Sequence, residues 1–165
     1  MRIAVIADTH IPGRARDLPP TAWRLVREAD AVIHAGDVMT PWLLDRLRAA
    51  SPQVHAVLGN NDLPLRGALP ETLQLDLGGV RVAVVHDSGA AEGRRRRLRR
   101  MFPEARAVVF GHSHVPVCDD DGDLLLLNPG SPTDRRRQPR FTLATLDCEA
   151  GDCSARIVDL GLERA

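Results

Sequence analysis

The sequence predicts one α/β domain in which two β-sheets pack against each other and helices lie outside. In the N-terminal half, three short apolar segments alternate with two helical segments, which is typical of βαβ units and a mainly parallel sheet. In the C-terminal half, paired apolar segments flank Gly78-Gly79 and Asp121-Gly122, which predict β-hairpins. Because the 165 residues contain no linker-like stretch and no internal repeat, we assign residues 1–165 to one domain.

The elements follow from the apolar pattern and from the residues that interrupt it. Pro19 and Pro20 suit the first turn of a helix, and the apolar residues of segment 41–50 recur at helical spacing. Almost wholly apolar segments predict buried strands. The predicted strands are 2–7, 31–35, 54–58, 72–77, 81–85, 107–110, 115–118, 124–127, 141–147 and 154–160, and the helices run from Pro19 to about residue 29, over 41–50 and over about 91–101.

Composition and charge argue against several classes of function. The formal net charge is zero, so the overall field does not attract nucleic acid. No apolar run approaches the roughly 18 to 20 residues that span a bilayer, and segment 3–7 is too short for a signal peptide, so we expect no membrane partner and a cytoplasmic location. Cys118, Cys148 and Cys153 include no Cys-x-x-Cys pair, although the last two could face each other across a hairpin.

Five polar clusters stand directly after predicted strands. In open α/β sheets, ligands bind outside the carboxyl ends of the strands, so the fold predicts that these clusters meet. Asp, Asn and His without thiolates suit Mn²⁺, Fe²⁺, Zn²⁺, Co²⁺ or Ni²⁺. Each cluster alone has an ordinary explanation as turn chemistry, and their joint occurrence indicates a site. The clusters are Asp8-Thr9-His10, Gly36-Asp37, Gly59-Asn60-Asn61-Asp62, His86-Asp87 and Gly111-His112-Ser113-His114.

The order of these clusters resembles the pattern of the calcineurin-like metallophosphoesterase superfamily: D-x-H, G-D, G-N, a lone His and G-H-x-H. The resemblance covers residues 1 to about 146 and is closest to small bacterial and archaeal phosphodiesterases without a cap domain. It implies a four-layer α/β/β/α sandwich of two mixed sheets flanked by helices. It also implies two divalent ions, with Mn²⁺ favoured. By this resemblance Asp8, His10 and His114 bind one ion, Asn60, His86 and His112 bind the other, and Asp37 bridges both.

The predicted reaction is hydrolysis of a small phosphate ester, preferably a diester, by a hydroxide that bridges the two ions. Four ligands for each ion leave open positions, as a catalytic site requires. Paired ions supply the nucleophile and stabilise an in-line displacement without a covalent protein nucleophile. The preference for diesters comes from the resemblance, as does the expectation of a homo-oligomer.

The sequence departs from the superfamily pattern at Asn61, where many members have a His that contacts the scissile phosphate. An amide can donate a hydrogen bond to phosphate but cannot act as a general acid, which is typically worth about 10² to 10⁴ in rate. We therefore count Asp37, Asn61 and Asp62 as the catalytic candidates and expect Asp62 to hold its loop. Asn128-Pro129-Gly130-Ser131 predicts a turn beside the site that supplies no ligand.

Other polar residues are not assigned to the site. His34 and His55 lie inside predicted strands, which favours buried or supporting roles. The arginines of segment 94–100 are interpreted as a solvated helix face. Those of segment 135–137 are candidates for contact with the substrate phosphate.

Two other classes of function remain open at this stage. One is a catalytically weak or inactive protein-binding scaffold, since the same fold serves as a binding subunit in the retromer coat complex. A missing ligand would favour it, and none is missing, although Asn61 keeps it open. The other is a nuclease or nucleic-acid-binding protein, which only the arginine runs support and which salt-dependent DNA binding would test.

Overall fold

The fold was determined as a computed structural model that describes residues 1–162. Within these residues the chain forms ten strands, three α-helices and one short 3₁₀ turn at Leu63–Leu65. The strands are β1 (Arg2–Ile6), β2 (Ala31–His34), β3 (Val54–Ala56), β4 (Thr72–Leu77), β5 (Val80–Val85), β6 (Ala107–Val109), β7 (Val117–Asp120), β8 (Leu125–Asn128), β9 (Thr142–Glu149) and β10 (Asp152–Asp159). The helices are α1 (Pro20–Glu28), α2 (Pro41–Ala50) and α3 (Arg94–Met101).

The strands form two mixed five-stranded sheets. The first has the order β10-β9-β1-β2-β3, with β1, β2 and β3 parallel and with β9 antiparallel to both β1 and β10. The second has the order β4-β5-β6-β8-β7, with β5, β6 and β8 parallel and an antiparallel strand at each edge. The parallel first half and the hairpin-rich second half predicted from the sequence are both confirmed.

Three apolar cores define the layers. Alternating residues of β1, such as Ile3 and Val5, face the core between the sheets, while Ala4 and Ile6 face the core beneath the helices α1 and α2. The third core lies between the second sheet and α3, where Leu98 is fully buried. Helices, sheet, sheet and helix therefore follow one another, and the predicted four-layer α/β/β/α sandwich is confirmed.

Several boundaries differ from those predicted. Strand β7 begins at Val117 rather than at residue 115 because Pro116 lacks the N–H that a ladder requires. Helix α3 begins at Arg94 rather than near residue 91, directly after Gly93, whose φ of 65° is left-handed. Cys148 and Cys153 are opposite each other in the register of β9 and β10, as expected for a final hairpin. Of the helices within residues 1–162, none is long and apolar enough to cross a membrane.

Candidate metal centre

All five predicted clusters lie at the carboxyl ends of parallel strands, where the edges of the two sheets meet. Asp8 follows β1 and its backbone N–H donates to the carbonyl of Gly36, which follows β2, at 3.0 Å. In the second sheet, the N–H of Gly111 donates to the carbonyl of His86 at 2.9 Å. Across the sheets, the N–H of His112 donates to Asp8 Oδ1 at 3.1 Å. These bonds join the loops of both sheets into one cluster.

The first half of the centre consists of Asp8, His10 and His114, three side chains that are buried almost completely. One ligand atom from each lies within 4.8 Å of the other two. His10 Nε2 is 3.3 Å from His114 Nε2, and His114 Nε2 is 3.6 Å from Asp8 Oδ1. The structure therefore brings together the three residues predicted to hold the first ion.

The second half consists of Asn60, His86 and His112. Asn60 Oδ1 lies 3.1 Å from His86 Nε2 and 2.9 Å from His112 Nδ1. His86 is buried, whereas Asn60 and His112 are exposed. The residues predicted for the second ion are thus also adjacent, but on the solvent side of the centre.

Asp37 lies between the two halves. Its Oδ2 is 3.5 Å from His10 Nε2 in the first half and 3.6 Å from His86 Nε2 in the second. Asp8, Asp37 and His86 also offer three ligand atoms within 4.8 Å of one another. This central position is the one that a bridging carboxylate needs.

The charges of the centre fit divalent cations. Burial, together with the charge of Asp37, raises the pKa of Asp8 to about 8, and Asp8 Oδ2 has no hydrogen-bond partner in residues 1–162. Burial lowers the pKa of both His10 and His114, so their imidazoles stay neutral and can act as ligands. A pair of buried carboxylates with neutral imidazoles is a donor set for metal ions such as Mn²⁺ or Zn²⁺.

Backbone carbonyls fix the orientation of two of the imidazoles. His86 Nδ1 lies 2.8 Å from the carbonyl of Ala35, and His114 Nδ1 contacts the carbonyl of Asp134. Because each Nδ1–H donates outwards, each Nε2 faces the centre with a free lone pair. No sequence motif predicts that Asp134 orients His114. Its position three residues after the predicted Asn-Pro-Gly-Ser turn is the sequence feature that places it near the centre.

The loops that carry the ligands adopt unusual backbone conformations. Five of the seven predicted ligands have a left-handed φ, which is uncommon for residues other than glycine; they are Asp8, His10, Asp37, His112 and His114, with φ of 54°, 48°, 58°, 68° and 58°. Clustered strain of this kind is typical of functional sites. The glycines of the motifs have a steric role, since a Cβ on Gly59 would overlap the Asp37 carboxylate and one on Gly36 would lie 2.5 Å from His86 Nδ1.

Asn61 and Asp62 hold the central loop in different ways. Asn61 donates to both oxygens of Asp37, from its backbone N at 2.8 Å and from Nδ2 at 2.7 Å. Buried Asp62 accepts the backbone N–H groups of Asp37, Met39 and Gly59 at 2.9, 2.6 and 2.7 Å. The loop-holding geometry expected for Asp62 is present.

The Asn-Pro-Gly-Ser segment forms a turn beside the centre. Asn128 Nδ2 donates to the carbonyl of Gly111 at 2.9 Å, and Ser131 Oγ donates to the carbonyl of Asp8 at 2.8 Å. The segment thus ties two ligand loops together through their backbones.

The histidines inside strands lie outside the ligand set. His34 is fully buried, its Nε2 is 3.0 Å from Thr9 Oγ1, and that hydroxyl donates to the carbonyl of Asp37 at 3.3 Å. It therefore supports the Asp37 loop from beneath. His55 is half-buried in β3.

The interpretation of the arginines of α3 as a solvated face is wrong for four of them, which are half-buried and bond to backbone carbonyls: Arg94, Arg95, Arg97 and Arg99. Arg97 donates to the carbonyls of Ser88 and Ala90, and Arg95 contacts the carbonyl of Leu124 and forms an ion pair with Asp119 at 2.8 Å. Their guanidinium groups hold neighbouring loops, which the sequence pattern of a charged run does not reveal.

A sandwich with paired carboxylates and imidazoles at the ends of strands from both sheets is the architecture of a metal-binding α/β protein. The chain belongs to the calcineurin-like phosphoesterase superfamily, since the profile of the Calcineurin-like phosphoesterase superfamily domain matches residues 1–151. It is 34% identical over 164 residues to a probable metallophosphoesterase of Methanothermobacter thermautotrophicus, covering 98% of this chain and 94% of that protein. Membership in this family implies a phosphoesterase that works with divalent metal ions.

Many solved structures share the fold, and two of them serve as examples. Vps29 of Chaetomium thermophilum superposes with a TM-score of 0.80 at 19% identity, covering 100% of this chain and 98% of that one. A structure described as a novel archaeal phosphodiesterase superposes with a TM-score of 0.74 at 19% identity, covering 96% of this chain and 100% of that one.

Proposed function

We propose that this protein is a phosphodiesterase that uses two divalent ions, with Mn²⁺ as the favoured metal. The observation that carries the proposal is the position of the Asp37 carboxylate, whose Oδ2 lies 3.5 Å from His10 Nε2 and 3.6 Å from His86 Nε2. One carboxylate can therefore serve both halves of the centre. The archaeal phosphodiesterase of the same fold supports the choice of a diester substrate.

The residues would divide between the two ions as the resemblance implies. Asp8, His10 and His114 would hold one, and Asn60, His86 and His112 would hold the other, with Asp37 shared. When bound, the ions would lower the pKa of a coordinated water and stabilise charge on the attacking and leaving oxygens. Exposed Asn60 and His112 leave that side of the centre accessible to substrate.

Asn61 would contact the substrate phosphate as a donor without supplying a proton. Its Nδ2 lies 2.7 Å from Asp37 Oδ2, at the centre itself. Since an amide cannot protonate a leaving group, substrates whose leaving groups are stable anions would react fastest. Asp62 would keep Asn61 in place through the backbone bonds that fix the loop.

The test is hydrolysis of bis-p-nitrophenyl phosphate by protein that has been stripped of metal with a chelator, before and after addition of Mn²⁺. We expect activity to return with Mn²⁺ and to fall by at least about 10³ in Asp37→Ala, since that change affects both ion positions. The matched control is Asp76→Asn, an exposed carboxylate at the end of β4 away from the centre that accepts the N–H of Gly79 at 3.0 Å. No turnover by a folded protein with two bound ions would contradict the proposal and favour the scaffold function.

A further inference from the structure

An open cavity adjoins the exposed half of the metal centre. It has a volume of about 310 Å³, and its lining includes the three residues predicted to hold the second ion, Asn60, His86 and His112. Small-molecule sites have volumes of roughly 300 to 1,000 Å³, so a single ring or short chain would occupy this one. A phosphate bound at the second ion would therefore place one of its substituents in the cavity.

One part of the lining is apolar. Leu58 is half-buried, and its backbone N–H donates to the carbonyl of Pro70 at 2.8 Å. Val85, the last residue of β5, is 8% exposed. A charged phosphate oxygen beside these side chains would lose hydration without gaining a hydrogen-bond donor, whereas a carbon-bearing ester arm would bury apolar surface. This part of the cavity therefore favours an esterified oxygen.

Two carboxylates line the same cavity. Asp87 directly follows His86, and Glu71 directly precedes β4. Because Thr72 pairs with Val85 in the register of β4 and β5, the next position along the hairpin brings Glu71 beside His86. Both carboxylates are exposed. Two negative charges thus flank the place where a phosphate would meet the second ion.

One cation, Arg66, also lines the cavity. Its backbone N–H donates to the carbonyl of Leu63 at 3.4 Å, and Leu65 beside it is 2% exposed, so the turn that carries Arg66 is anchored in the core. Within residues 1–162 neither Arg66 nor Glu71 takes part in an ion pair. Two carboxylates and one guanidinium give the Arg, Asp and Glu side chains of the lining a net charge of −1. The lining therefore opposes a phosphate with two negative charges more strongly than a phosphate with one.

We propose that this cavity holds the second ester arm of the substrate and that Glu71 and Asp87 select phosphodiesters against phosphomonoesters. The inference rests on the proposed function, because it places the phosphate at the two ions. In a diester the arm lies against Leu58 and Val85, and the phosphate carries one negative charge. In a monoester the corresponding oxygen carries a second charge, which faces the two carboxylates. Arg66 acts in the opposite direction, because its guanidinium attracts that second charge.

The test compares bis-p-nitrophenyl phosphate with p-nitrophenyl phosphate at about pH 8, where the monoester carries two charges. Both substrates release p-nitrophenolate, and we expect the wild type with Mn²⁺ to have the higher kcat/KM for the diester. In Glu71→Gln the ratio of diester to monoester kcat/KM should fall about threefold, as expected for the loss of one interaction between exposed charges. The double variant Glu71→Gln with Asp87→Asn should lower the ratio about tenfold, and Arg66→Gln should raise it about threefold. The matched controls, Asp76→Asn and Arg100→Gln, change exposed charges outside the cavity and should keep the ratio of the wild type.

A preference for the diester that Glu71→Gln and the double variant leave unchanged would overturn the inference and leave the proposed function standing. A wild type that prefers the monoester would overturn both. If the protein hydrolyses neither substrate, the proposed function fails. Calorimetric titration of diphenyl phosphate and phenyl phosphate into the protein with Mn²⁺ then decides the inference separately. Tighter binding of diphenyl phosphate, by a ratio of Kd values that Glu71→Gln lowers, would support it, and a ratio that this variant does not change would overturn it.

Discussion

The two halves of the metal centre are built from similar ligands but in different surroundings. Asp8, His10 and His114 are at most 6% exposed, whereas the other half places Asn60 and His112 at the surface. A buried cluster of carboxylate and imidazole is shielded from bulk solvent, so a bound cation relieves a large desolvation cost there. Exposed ligands are hydrated without a cation and gain less from one. We therefore expect the first half to bind its ion more tightly and the second half to exchange its ion and meet the substrate.

The largest expected effect is a loss of Mn²⁺ affinity that differs between variants of the two halves. His114→Ala should lower the affinity for the tighter Mn²⁺ by about a hundredfold or more, because removal of an outer partner alone costs tenfold to a hundredfold. His112→Ala should leave the tighter site nearly unchanged and weaken only the second. Competition titrations with a chelator measure both affinities. Similar losses in the two variants would mean that the halves are equivalent.

A substitution at Asn61 tests how the exposed half of the centre, which contains Asn60 and His112, acts on the leaving group. Asn61→His places a general acid beside the leaving group, and should raise kcat/KM for a thymidine dinucleotide by about 10². Bis-p-nitrophenyl phosphate releases p-nitrophenolate, a stable anion that needs no proton. The kcat/KM for this substrate should therefore rise much less. Steady-state assays of both substrates give the comparison, with Asn61→Ala as the control without a proton donor. An equal gain on both substrates would argue against a missing general acid.

Asp62 joins the loop that carries Asn60 to the loop that carries Asp37, because its carboxylate accepts backbone N–H groups from both. Asp62→Asn weakens the three bonds that the Asp62 carboxylate accepts from backbone N–H groups and should lower the free energy of unfolding by about 1 to 3 kcal/mol. Urea denaturation measures the change. The exposed control Asp76→Asn should change the free energy of unfolding by less than about 0.5 kcal/mol. Equal stability of both variants would show that Asp62 does not hold the loop.

The smallest effect concerns His34, which supports Asp37 from beneath. Burial, followed by the charge of His86, lowers the pKa of His34 to about 3. Below about pH 6.5 the unfolded chain gains a proton at this residue that the folded chain does not, so stability falls as the pH falls towards 3. Metal-free wild type should therefore lose about 1 kcal/mol more than His34→Gln between about pH 7.5 and about pH 5.5 in urea denaturation. Equal losses of stability in the wild type and in His34→Gln would show that His34 does not cause this pH dependence.

The sequence was sufficient to predict that the candidate ligands lie together, because each follows a strand, and parallel strands end at a common edge. Asp8 and Asp37 could be placed near each other on this ground alone. The sequence could not reveal that Asn60 and His112 are exposed, since exposure depends on how the two sheets meet. Nor could it show that the guanidinium of Arg135 donates to the carbonyl of Gln138 and lies over the ring of Phe141. Contacts between side chains and distant backbone carry no periodic signal.

Calorimetric titration of Mn²⁺ into the chelator-stripped protein tests the central claim, that one carboxylate unites two unequal ion sites. The account predicts two ions per chain with clearly different affinities in the wild type. The carboxylate of Asp37 lies within 3.6 Å of a histidine of each half. We therefore expect the Asp37→Ala variant to bind fewer than two ions per chain. A single ion per folded wild-type chain, or two ions that Asp37→Ala leaves unchanged, would contradict it.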